Sequence, residues 1–91
     1  MLTAVILIKA TRDGLRGLGP QLADVEGVAE VYTVTGEWDF VAILRLRDTE
    51  QLAGVVTGKI SGLPGVVNTL TMVAFEVYSR HDLEALFSLG Q

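Results

Sequence analysis

The chain has 91 residues, is 49% hydrophobic, contains no cysteine and carries a formal net charge of −4 at pH 7. That length holds a single core, and the missing cysteines exclude disulfides, thiolate metal ligands and a cysteine nucleophile. A pI near 4.7 repels phosphate at long range, and the basic residues Lys9, Arg12, Arg16, Arg45, Arg47, Lys59 and Arg80 form no run, which argues against direct nucleic-acid binding.

The first element predicted is a strand over Leu2 to Lys9, almost continuously apolar and β-branched, as for a strand covered on both faces. Leu15, Leu18, Leu22 and Val25 then recur at helical spacing, although Gly14, Gly17, Gly19 and Pro20 predict a late start or a bend. Val28 to Thr35 reads as a second strand and Trp38 to Arg47 as a third, joined as a hairpin at Gly36-Glu37. Asp48 caps a second helix with Gln51 as its capping-box partner, and Leu52, Val55, Val56, Ile60 and Leu63 form its stripe. Gly62 and Pro64 end that helix. A long last strand runs from Gly65 to Tyr78, and a short tail helix is expected over Asp82 to Leu89.

The order is βαββαβ plus a tail, and the two halves echo each other. Glu26-Gly27-Val28 leads to Thr33-Val34 as Pro64-Gly65-Val66 leads to Thr71-Met72. A split repeat of this kind predicts an α+β, ferredoxin-like sandwich: a four-stranded antiparallel sheet with two helices on one face. Nothing suggests a linker, so residues 1–91 are expected to form one domain. Two helices cover only one face, yet Val41 and Ile43 point away from Phe40, Ala42 and Leu44, and both faces are apolar. A mean hydropathy of +0.44 likewise exceeds what so small a monomer hides. The expectation is a face-to-face homodimer of the dimeric α/β barrel type, with Val41, Ile43, Val73 and Phe75 at the interface. No apolar run approaches the roughly 18 residues of a membrane helix, and no basic stretch precedes an apolar segment at the N-terminus. A cytoplasmic protein without a membrane partner is therefore expected.

The corner Val34-Thr35-Gly36-Glu37-Trp38-Asp39-Phe40 carries more than a turn requires. Turning the chain calls for Gly36, since positive backbone dihedrals are cheap only there. It does not call for tryptophan followed by aspartate, so a ligand site is sought here first. Elsewhere the chemistry is thin. The one histidine is His81, beside Asp82 at the start of the tail helix, and no cluster has metal-ligand spacing. Gly14, Gly17 and Gly19 lack the setting of a phosphate loop. Neither a catalytic residue, a metal nor a cofactor is expected.

These residues resemble the C-terminal effector-binding (RAM) domain of the leucine-responsive regulatory protein/AsnC family of transcription regulators. The resemblance rests on Val34-Thr35-Gly36-Glu37-Trp38-Asp39-Phe40, and on Leu63-Pro64-Gly65-Val66 followed by Thr69 and Thr71. It covers about Leu2 to Val77. The resemblance implies sheet-paired dimers assembled into rings, with a free amino acid as effector bound where dimers meet. Thr35, Gly36, Glu37, Trp38, Asp39, Thr69 and Thr71 are the ligand-binding residues it implies. Asp39 would meet the ammonium, backbone amides at Gly36 and Glu37 the carboxylate, and Trp38 a pocket wall. Asp39 can equally cap the turn's own amides, Thr69 and Thr71 can be ordinary strand residues, and Trp38 can be interface packing.

The first strand begins at the start methionine, so the chain reads as a stand-alone version of that domain, without the family's helix-turn-helix or DNA binding. Two other readings stay open. One is a small cofactor-independent monooxygenase-like enzyme, since ferredoxin-like dimers include such enzymes. The other is an adaptor that joins full-length regulators of the same family through dimer or ring contacts.

Overall fold

The computed structural model describes residues 1–78 and residue 80. The expected tail helix and His81 lie outside the described residues. Four strands, β1 (Leu2–Ala10), β2 (Val28–Thr33), β3 (Phe40–Leu46) and β4 (Val66–Val73), form an antiparallel sheet in the order β2-β3-β1-β4. Helix α1 (Gly14–Ala23) links β1 to β2, and α2 (Thr49–Val55) continues into a π-helical turn, Val56–Ile60, before β4. This is the βαββαβ ferredoxin-like topology expected from the repeat.

The core lies between the sheet and its helices. Ala4, Ile6 and Ile8 of β1 and Phe40, Ala42 and Leu44 of β3 are buried against Leu18 and Leu22 of α1, Leu52 and Val55 of α2, and Ile60. Their alternation in the strands and three-to-four spacing in the helices are the two periods that place one apolar face inward. The α1 stripe is shorter than expected, because Leu15 is 44% exposed. Pro20 sits inside α1, and the helix starts at Gly14 rather than late. Arg16 and Pro20 both face solvent, so water can serve the Arg16 carbonyl that proline leaves unbonded.

The repeat has a physical basis. Val28 donates its amide to the Val25 carbonyl and Val66 to the Leu63 carbonyl, so each half enters its edge strand by the same tight turn. The third residue of each, Gly27 and Gly65, has φ of +97°. That region is cheap only for glycine, and a Cβ on Gly65 would lie 2.9 Å from the Gly14 Cα. At α2, Gln51 donates its amide to Asp48 Oδ1 at 2.8 Å, as a cap requires. The Gln51 side chain, however, accepts from the Arg47 amide rather than returning to Asp48.

The far side of the sheet is open. Register places Val5 and Leu7 of β1 beside Val41 and Ile43 of β3 and beside Met72 and Leu70 of β4. Paired residues of antiparallel strands share a face, so these six make one apolar surface, with Tyr32 beside Val41 at its edge. The expected interface is corrected here. Val73 pairs with buried Ala4, which puts it on the helix side, and Leu70 and Met72 take its place on the open face. β4 also stops at Val73, short of the expected Tyr78, leaving Phe75 99% exposed beyond the strand.

Candidate functional site

The Gly36 corner is a wider structure than a hairpin turn. β2 ends at Thr33 and β3 begins at Phe40, so the segment from Val34 to Asp39 is a loop. Gly36 takes φ of +107° with open space around it, and its glycine is required by the backbone rather than by crowding. The loop closes where the Val34 amide donates to the Asp39 carbonyl at 3.0 Å.

Asp39 is the anchor of the loop. Its amide donates to the Ile8 carbonyl at 3.0 Å, and its carboxylate Oδ2 accepts the Ala10 amide at 2.8 Å. That amide lies where the β1–β4 register shifts between Lys9 and Ala10, so a side chain supplies an acceptor at an irregular point of the sheet. Asp39 thus caps the end of β1, not the turn's own amides. Its other oxygen, Oδ1, has no partner among the described residues.

Three further features converge on the same corner. The amides of Thr35, Gly36, Glu37 and Trp38 have no acceptor among the described residues. Lys9 donates its ammonium to the Glu37 carbonyl at 2.7 Å. Trp38 is half-buried beside Asp39, while Thr35, Gly36 and Glu37 are exposed. The loop therefore presents amide donors, a cation and a free carboxylate oxygen within one short segment. Such a set can meet both ends of a small zwitterion.

Thr69 and Thr71 lie at the same end of the sheet but across β1, opposite Ile8 and Ile6. Both are half-buried and share the helix side of β4, as their two-residue spacing requires. Within one chain they therefore sit across β1 from the loop rather than on it. A groove of about 550 Å³ lined by Glu26, Arg45, Arg47 and Gln51 lies at the other end of β3. No group of three or more His, Asp or Glu that could hold a metal occurs among the described residues. No helix among them is long and apolar enough to cross a membrane.

Sequence reasoning did not single out Lys9 or Ala10. The signal was topological: in this fold the end of β1 runs beside the start of β3, so its last residues must meet the loop before Phe40.

Comparison with known proteins agrees with this architecture. A family model described as the Lrp/AsnC ligand binding domain matches residues 3–83. A helix-turn-helix-type transcriptional regulator of Pyrococcus abyssi, PYRAB16920, is 39% identical over 77 residues, covering 81% of this chain and 51% of its own length. The chain thus spans about half the length of the curated relatives it matches. The crystal structure of TTHA0845 from Thermus thermophilus superposes with a TM-score of 0.83 at 46% identity, over 88% of this chain and all of that one. The transcriptional regulator NMB0573 of Neisseria meningitidis, solved as a complex with L-Met, shares the fold at 16% identity, with a TM-score of 0.79 over 87% of this chain and 53% of that one. With the matched model spanning almost the whole sheet and both helices, the chain belongs to the Lrp/AsnC ligand-binding-domain family.

Proposed function

We propose that this chain is a regulatory module that binds a free amino acid at the Gly36 corner and self-assembles through its open sheet face. One observation carries the reading. Unengaged amides from Thr35 to Trp38 stand beside Asp39, whose carboxylate keeps one free oxygen. The amides suit an α-carboxylate and the oxygen suits an α-ammonium. Thr69 and Thr71 of a neighbouring copy close the site, and Trp38 walls it.

The apolar surface of Val5, Leu7, Val41, Ile43, Leu70 and Met72 pairs with its copy in a two-fold dimer, with exposed Phe75 extending the contact. Dimers then join as a ring at the corner, and full-length regulators of the family are partners through the same contacts. Residues 1–91 act as one domain in the cytoplasm, without DNA binding or catalysis of their own. The family model that matches describes ligand binding rather than an enzyme.

A thermal-shift screen of the twenty amino acids, paired with light scattering, tests the proposal. Ligand at a hundred times its Kd stabilises by about 2.7 kcal/mol, enough for a rise in Tm on the order of 10 °C in a domain this small. A rise with one or a few amino acids, with a change in assembly, is expected. No rise with any of them contradicts effector binding.

A further inference from the structure

The geometry points to Lys9 as the residue that holds the effector's α-carboxylate, an inference that rests on the amino-acid reading of the corner. Its ammonium is placed on the loop by the hydrogen bond to the Glu37 carbonyl, 2.7 Å away. An ammonium has three donors, and this bond uses one. A carbonyl is neutral, so the charge of Lys9 stays uncompensated; among the described residues no carboxylate lies within the 4.0 Å of an ion pair. The amides of Thr35, Gly36, Glu37 and Trp38 are unengaged in the same segment. An anion seated on those amides therefore comes within reach of the Lys9 ammonium.

The placement also fixes the ligand's polarity. Lys9 and Ala10 are consecutive in β1; the first brings a cation to the loop and the second holds the Asp39 carboxylate. A cation and a carboxylate brought to one loop by consecutive residues of a strand match the two charged groups of an α-amino acid. A purely mechanical role for Lys9 explains less. The loop is already tied by three bonds through Asp39, to Ile8, Ala10 and Val34, and the Lys9 bond is exposed to water. The site then selects free α-amino acids over amines and over amides in which the carboxylate is neutralised.

The test uses the intact wild-type oligomer, Lys9→Gln and Lys9→Arg. Each is titrated calorimetrically with the twenty L-amino acids and, for any that binds, with its α-carboxamide. Wild type is expected to bind the acid about ten-fold tighter than the amide or better. Lys9→Gln loses about ten-fold on the acid and little on the amide, so the preference collapses, while Lys9→Arg keeps it. Raising the salt weakens acid binding in wild type more than in Lys9→Gln. If Lys9→Gln weakens acid and amide equally, or weakens neither, the inference is overturned while the amino-acid reading stands. If no amino acid binds wild type, both fall together.

Discussion

Replacing Asp39 separates its structural task from its ligand task. In Asp39→Ala the Ala10 amide loses its 2.8 Å acceptor, while the backbone bonds from Asp39 to Ile8 and from Val34 remain possible. A buried donor left unsatisfied costs about 1–3 kcal/mol, and the half-buried setting of Ala10 puts this one near the lower end, about 1–2 kcal/mol. At roughly 4–8 °C per kcal/mol, Tm should fall on the order of 10 °C at fixed protein concentration. Asp39→Asn keeps an oxygen for the Ala10 amide, so its stability should lie within about 1 kcal/mol of wild type. It replaces the free carboxylate oxygen with an amide nitrogen that repels an ammonium. Amino-acid affinity should therefore fall about ten-fold or more although the fold survives. Denaturant unfolding reads the first effect and calorimetric titration of the folded protein the second. An Asn variant as unstable as the Ala variant would refute the acceptor argument; one that binds like wild type would refute Asp39 as the ammonium partner.

On the sheet's open face, Ile43→Lys and Met72→Lys should reduce the mass measured by light scattering, whereas Val73→Lys, opposite Ala4 on the helix side, should leave the dimer intact. The reverse order contradicts the register. Gly36→Ala and Gly65→Ala both force a residue into positive φ, at about 1–2 kcal/mol each. Only Gly65→Ala also drives a Cβ to 2.9 Å from the Gly14 Cα, so its melting point should fall further; equal losses contradict the close approach. Both tyrosines should titrate above their usual value of about 10. The phenol of Tyr32 is held protonated first by its hydrogen bond to Glu30 and then by that carboxylate's charge, and Tyr78 by its bond to Glu76. These bonds are complete below pH 10 and lost as pH rises through the raised values, so tyrosinate absorbance should appear later in the native chain than in urea. Glu30→Gln should return Tyr32 towards its usual value, and coincident native and unfolded curves would contradict the bonds.

The fold was legible because each half repeats its own instructions. Gly27 and Gly65 open two strands with the same turn, and Asp48 marks the start of α2. What failed was information carried by partners across the sheet. In β4 both alternating sets, Leu70 with Met72 and Thr71 with Val73, are apolar or β-branched, so no polarity marks the outer face; pairing with β1 decides it. Val34, Thr35 and Trp38 favour strands, so the sequence predicts a hairpin at Gly36-Glu37 where β2 ends at Thr33 and β3 starts only at Phe40. In the structure the Val34 amide and Asp39 carbonyl close a wider loop, and the Asp39 side chain accepts from the Ala10 amide, 29 residues away in sequence. The π-helical turn was likewise invisible in the Leu52 to Leu63 stripe. Within it the Thr57 hydroxyl donates to the Ala53 carbonyl at 2.6 Å, a local bond competing with the helix ladder. At the candidate site the turn residues were readable, while the contributions of Lys9 and Ala10 depend on strand order.

Backbone amide NMR of the isotope-labelled protein, titrated with an amino acid that raises its melting temperature, tests the central claim most directly. The account expects saturable shifts concentrated at Thr35 to Asp39, at Lys9 and Ala10, and at Thr69 and Thr71. Shifts confined instead to the groove at Glu26, Arg45 and Arg47, with the corner unmoved, would contradict it.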